Sequence, residues 1–163
     1  MSIVLFRVDE RLIHGQVIVG WGAELHPDRI VVVDDEIAAS QWEQELYAMG
    51  LPSEVTPSFE DVAAAREHLP AWRGDGERVL VLTRDIATMH KLAAGGAMSG
   101  DEVNIGGIHY APGRHAILPY VYLSGEEIDH INALAGEGVR ITARDLPAAR
   151  RVDLKELLHG RKN

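Results

Sequence analysis

Ile3-Val-Leu-Phe-Arg-Val8 runs without a break into Asp9-Glu-Arg-Leu-Ile-His-Gly-Gln-Val17. The first six residues are short, apolar and partly β-branched, and two acids follow at once. This predicts a buried strand whose C-terminal end opens at Asp9. Gln16 to Leu25 (QVIVGWGAEL) then carries Val17, Val19, Trp21 and Ala23 among enough apolar positions for a helix. Gly20 and Gly22 weaken that reading, and a second strand followed by a turn is the alternative.

With a helix, His14 and Gly15 fall in a strand-to-helix loop. The first N–H groups of a helix lack internal partners and sit at the positive end of its dipole, so they attract anions. Gly15 lets a ligand approach the backbone. The N–H groups of Gly15, Gln16 and Val17 are therefore the expected cradle, with Arg11 as a planar countercharge. Neutral imidazole is a competent nucleophile near neutral pH, so a phosphoryl group carried on His14 suits this setting. A solitary histidine beside an apolar segment is more often just a hydrogen-bonded loop or core residue, and the chemistry of the stretch alone does not displace that reading.

The run R-V-D-E-R-L-I-H-G-Q-V at 7–17 closely resembles the signature of the IIB components of the bacterial sugar phosphotransferase system, mannose/fructose/sorbose family. V-N-I-G-G-I-H at 103–109 and V-Y-L-S-G-E-E at 121–127 extend the resemblance over nearly the whole chain. It implies a soluble phosphocarrier enzyme, a protein-phosphohistidine–sugar phosphotransferase. His14 would accept a phosphoryl group at Nδ1 from a IIA phosphohistidine and surrender it to a sugar held by a membrane-embedded IIC/IID permease. By the same resemblance Arg11 matches the arginine near the phosphate, and Asp9 a residue that orients the loop. No cofactor is implied.

Composition sets the outer bounds. At 163 residues and 17.9 kDa, with 46% hydrophobic residues, the chain is sized for one domain spanning 1–163. A formal charge of −9 and a pI near 5.3 oppose nonspecific contact with nucleic acid or anionic lipid. Without cysteine there is neither a disulfide framework nor a thiolate zinc site. Met1 leads into a strand with no leader-like pattern, and no apolar run approaches the roughly 18 residues of a membrane span, so the expected location is cytoplasmic, with transient association with the permease.

Further along, Arg29–Asp34 predicts a strand covered on both faces. Ala38 to Gly50 predicts a helix with Trp42, Leu46 and Met49 at core spacing. Glu54–Pro57 is a short strand that Pro57 limits to an edge. Ser58-Phe-Glu-Asp61 resembles a capping box that opens a helix through Val62, Ala65 and Leu69, and Pro70–Glu77 reads as a surface turn. Arg78–Thr83 is a fourth strand, Asp85–Leu92 a helix closed by Gly95-Gly96, and Glu102–Ile105 a strand.

Gly106 and Gly107 end that strand where a ligand would approach, and His109 follows them; all three are candidates for the wall of the site. A hydrogen-bonded loop residue is the plainer reading of His109 and His115. A metal site built from His14 and His109 lacks further ligands at suitable spacing, so none is expected. His115–Tyr122 predicts an edge or bent strand, Ser124–Glu127 a capping box, Val139–Ala143 a last strand and Val152–His159 a last short helix.

Strands alternating with helices point to an α/β protein, doubly wound, with a mostly parallel sheet of about seven strands, helices on both faces and the site at the C-terminal strand ends. The competing functions are a noncatalytic regulatory or anion-binding module of the same fold and, behind it, metal-dependent hydrolysis.

Overall fold

A computed structural model describes residues 2–74 and 76–159. Met1 and Asp75, on which the leader reading and part of the turn reading rest, lie outside the described residues. Seven strands form one sheet in the order β3-β2-β4-β1-β5-β8-β9. These are β1 (Ile3–Val8), β2 (Arg29–Val33), β3 (Thr56–Glu60), β4 (Val79–Thr83), β5 (Glu102–Ile105), β8 (Arg140–Ala143) and β9 (Val152–Asp153). All neighbours pair in parallel except β9, which runs antiparallel to β8. β6 (His115–Leu118) and β7 (Val121–Leu123) form a separate antiparallel hairpin.

The first strand is central, between β4 and β5. Its neighbours on either side enter later in the chain, so the loop leaving β1 emerges where the strand order switches direction, the place where open α/β sheets carry ligands. Phe6, Val8, Val81, Val103, Ile105 and Ile141 point to one face. They pack there with buried Leu69, Trp72, Met89, Leu92, Ile128, Ile131 and Leu134, supplied by α4 (Val62–Gly74), α5 (Ile86–Ala93) and α6 (Gly125–Gly136). On the other face Ile30, Val32, Leu80 and Leu82 pack against Leu12, Ile13, Val17, Trp21 and Ile37. The loop after β1 thus contributes core side chains itself.

Several local expectations change. The segment 38–50 splits into α2 (Asp35–Ala38), capped by the Asp34 carboxylate, and α3 (Gln41–Ala48). Trp42, Leu46 and Met49 do share a helical spacing, but they are 67%, 58% and 81% exposed and form no part of the core. Ser58 is no cap: it lies in β3 and accepts from Arg29 Nη1, while Asp61 caps α4 by accepting from the Ala64 N–H at 2.7 Å. The turn expected from Pro70 is helix through Gly74. An interior proline costs about 3 kcal/mol, but burying Leu69 and Trp72 returns roughly 1.5–3 kcal/mol for each large apolar side chain, and both are at most 6% exposed.

His115–Tyr122 is a bent hairpin outside the main sheet, turned at Pro119-Tyr120, and the last helix is preceded by β9, leaving α7 as Leu154–His159. Among the described residues no helix is long and apolar enough to cross a membrane.

Candidate active site

The loop between β1 and the first helix is built by its own hydrogen bonds. Leu12 N–H donates to the Asp9 carbonyl at 3.0 Å and closes a tight turn. Leu12 adopts φ +56°, a left-handed conformation that a branched side chain rarely takes. Strain of this kind costs about 1–3 kcal/mol; complete burial of the Leu12 side chain offsets it and pins the turn to the core. Helical backbone then begins at Gly15, and residues Gln16–Trp21 form a π-helix that passes into α1 (Gly22–Leu25). The Gly22 N–H donates five residues back to Val17, the wide turn often found where a helix serves a site.

His14 stands where these elements meet, with its side chain 15% exposed. Its Nε2 lies 3.2 Å from Asp9 Oδ2, within ion-pair range, although the N–H is not aligned for a hydrogen bond in the resting geometry. On the other side of the ring, Nδ1 accepts from the Gln16 N–H at 3.3 Å. A carboxylate beside Nε2 and a donor beside Nδ1 together favour the neutral tautomer that carries its proton on Nε2 and keeps the Nδ1 lone pair. Of the two ring nitrogens, Nδ1 is the one these contacts leave without a proton.

Asp9 is completely buried and collects nearly everything around it. Its oxygens accept from Arg7 Nη2 at 3.2 Å, the Arg11 N–H at 3.0 Å, Arg11 Nε at 3.3 Å and the Gly107 N–H at 3.3 Å. Burial by itself would raise the Asp9 pKa; contact with His14, the Arg11 main-chain N–H and the charge on Arg7 overturn this and hold the carboxyl far below the usual carboxylate range. The site thus keeps a permanent carboxylate behind its histidine.

Arg11 meets the same Asp9 carboxylate as His14, and its guanidinium also donates to Gln16 Oε1 at 2.8 Å. Gly15 is exposed, and a Cβ built there would meet nothing within 4 Å, so the mouth of the loop is open. Val17 turns into the core. Gly106 and Gly107 do permit a close approach, but what approaches is the protein: a side chain at Gly106 would strike Arg7 and Asp9, and one at Gly107 would stand 3.0 Å from Arg11 Nη2. His109 is not brought to His14. Its N–H and Nδ1 both meet Glu10, and Arg114 ties Glu10 at 3.0 Å to Glu127 at 2.7 Å, fastening the following loop to the rim.

The residue that sequence reasoning passed over is Arg7. It is fully buried near the C-terminal end of β1, and its guanidinium donates to Asp9, Asn104 and the carbonyls of Arg144 and Asp145. A charge within an otherwise apolar central strand was the available signal, because buried charges require partners.

The fold is thus a mostly parallel α/β sheet with a carboxylate-backed histidine on the strand-to-helix loop after its central strand. The chain belongs to the sorbose-subfamily IIB components of the sugar phosphotransferase system, whose family model matches residues 3–163. It is similar to the fructose-specific EIIB component of Bacillus subtilis, 30% identical over 98% of this chain and 98% of that protein. The mannose-specific EIIAB component of Escherichia coli K12 is 30% identical over 97% of this chain but 49% of its own length, so the chain spans about half of that relative. The crystal structure of manxB from Thermoanaerobacter tengcongensis superposes with a TM-score of 0.84 at 30% identity, covering 96% of this chain and 95% of that one.

Proposed function

We propose that this protein is a phosphocarrier that receives a phosphoryl group on His14 Nδ1 from a IIA phosphohistidine and passes it to a sugar presented by a IIC/IID permease on the cytoplasmic side of the membrane. The observation that carries this reading is the opposite treatment of the two ring nitrogens: Nε2 faces the Asp9 carboxylate, while Nδ1 accepts from Gln16. The family and the naming of its members as phosphotransferase components support a relay of this kind. A relative that joins IIA and IIB in one name supports the IIA donor.

In the first step the P–N bond of the donor breaks as the Nδ1–P bond forms, and the donor histidine departs neutral. In the second, a sugar hydroxyl oxygen replaces Nδ1 on phosphorus and its proton is released. Such transfers need positioning and charge stabilisation more than covalent machinery. The Asp9 carboxylate stabilises the ring as positive character develops on it. The Gln16 N–H, at the start of the helical segment, is freed from Nδ1 by the incoming group and can turn to a phosphoryl oxygen. Arg11, which donates to Gln16 Oε1, would exchange that amide for a phosphoryl oxygen.

The test is phosphorylation of the purified protein by a phosphoenolpyruvate-driven cascade with its cognate IIA component. One acid-labile, base-stable phosphate is expected on the wild type and none on His14→Ala. Label that persists in the mutant, or that resists acid, would sink the reading.

A further inference from the structure

We propose that Arg7 is a positioning residue that sets the tautomer and placement of His14 through Asp9; its role in transfer rests on the phosphocarrier reading above. Arg7 never reaches the imidazole. It lies behind Asp9, on the far side from the open mouth, with its side chain 0% exposed. Along the sheet it stands in register with Asn104 on β5, which stands in register with Thr142 on β8. This makes a buried polar row, Arg7–Asn104–Thr142, across strands whose opposite faces are apolar.

A core of this kind has no need of a guanidinium for stability. Replacing a buried ionic group by an apolar one of similar volume is often neutral or stabilising, so the charge is better explained by what it orients. Besides Asn104 Oδ1, its donors go to two places. One is Asp9 Oδ2, the same oxygen that lies 3.2 Å from His14 Nε2. The other is the loop after β8, through the carbonyls of Arg144 at 2.8 Å and Asp145 at 3.1 Å. The Asp145 carbonyl also accepts from Trp21 Nε1 at 3.2 Å, and the Arg7 guanidinium lies against the Trp21 ring, 5.1 Å from its centroid.

Trp21 ends the π-helix whose first residue donates to Nδ1. Arg7 therefore fastens both supports of the imidazole, the carboxylate at Nε2 and the helix at Nδ1. Gly106 leaves it the room, since a Cβ there would collide with the guanidinium. Without Arg7, Asp9 retains Arg11 as its one arginine partner among the described residues, and Arg11 is partly exposed and able to draw the carboxylate toward solvent. The ring would then lose its preference for a proton on Nε2.

The experiment compares wild type, Arg7→Lys, Arg7→Met and Asn104→Ala. Imidazole 15N spectra near pH 8, taken with no phosphoryl donor present, report the tautomer of His14. The wild type should show a protonated Nε2 and a bare Nδ1; R7M should show mixed tautomers; R7K, which keeps a charge but cannot fork, should fall between them. In transfer from phosphorylated IIA, kcat should drop in R7M by about a hundredfold, the usual scale of a misplaced reacting group, while KM for the donor stays within about twofold.

An R7M protein with the wild-type tautomer and kcat, merely less stable, would overturn the proposal. So would a wild type protonated on Nδ1, whether or not R7M folds; if it does not, R7K and N104A carry the comparison. A protein that takes up no phosphate, yet shows the tautomer shift, would refute the phosphocarrier reading and leave the hold of Arg7 on His14 standing.

Discussion

Gly106 leaves the room that Arg7 and Asp9 occupy: a Cβ built on it would collide with Arg7 Nη2 and stand 2.8 Å from Asp9 Oδ2. The β5 strand end is thus shaped around the carboxylate that backs His14. Gly106→Ala should destabilise the fold by about 1–3 kcal/mol, the usual range for overpacking a filled site, and should abolish phosphate uptake. Gly15→Ala makes the contrast, because Gly15 has helical φ −52° and ψ −42° and open space around it. Its stability should equal or exceed wild type by up to about 1 kcal/mol. Urea denaturation of both variants checks the pair.

Asp9→Asn should cost about 3–5 kcal/mol at pH 7, because it leaves the buried Arg7 without its carboxylate. The sign of the pH dependence follows from the direction of the Asp9 shift. A folded-state pKa held below its unfolded value contributes stability that is complete above the unfolded pKa, roughly 3.9, and is lost as pH falls through the folded pKa. The difference between wild type and D9N should therefore be flat from about pH 5 to 8 and shrink on acidification below about pH 4. Paired chemical denaturation across that range measures it; a difference that grows toward low pH would show Asp9 to be held protonated instead.

Arg11→Gln removes a charge-assisted contact worth roughly 1.5–3 kcal/mol while leaving the backbone donors in place. Weak binding of inorganic phosphate, followed through the amide signals of residues 14 to 17, should fall by about tenfold to a hundredfold. Charge reversal at Glu43 or Lys155, on α3 and α7 far along the chain from the loop, should leave it unchanged.

The two tryptophans on α3 and α4 should behave oppositely. Trp42→Ala, at a residue 67% exposed, should change stability by no more than about 0.5 kcal/mol, whereas Trp72→Ala, at 6%, should cost about 3–5 kcal/mol. Denaturant midpoints decide it, and a large loss at Trp42 would mean that α3 packs its apolar stripe against something in solution.

The cap of α4 provides a local test. Asp61→Ala should cost about 1 kcal/mol, the worth of an N-cap, since Asp61 accepts from the Ala64 N–H. Ser58→Ala should instead loosen Arg29, to which its hydroxyl is bonded, with no loss of helix signal.

What the amino-acid order determined by itself was whatever depends on neighbours along the chain. The short β-branched runs at Ile3–Val8, Arg29–Val33 and Val79–Thr83 specify buried parallel strands. Asp85 and Ser124 cap their helices through groups three residues away, and the His14 loop is legible because strand, loop and helix start are contiguous. The tertiary structure alone decided what depends on partners distant in sequence. Trp42 has the spacing of a core residue, but among the described residues no element covers its face of α3. Pro70 would end an isolated helix, but the burial of Trp72 carries the helix past it. Gly106 and Gly107 look like openings for a ligand until Arg7, Asp9 and Arg11 arrive from about a hundred residues away to fill them. Arg7 reads as a lone charge in a strand until β5 and the loop after β8 supply Asn104 and two carbonyls. Those contacts are electrostatic and short-ranged, so only the folded chain, which excludes water and brings the strand ends together, gives them their strength.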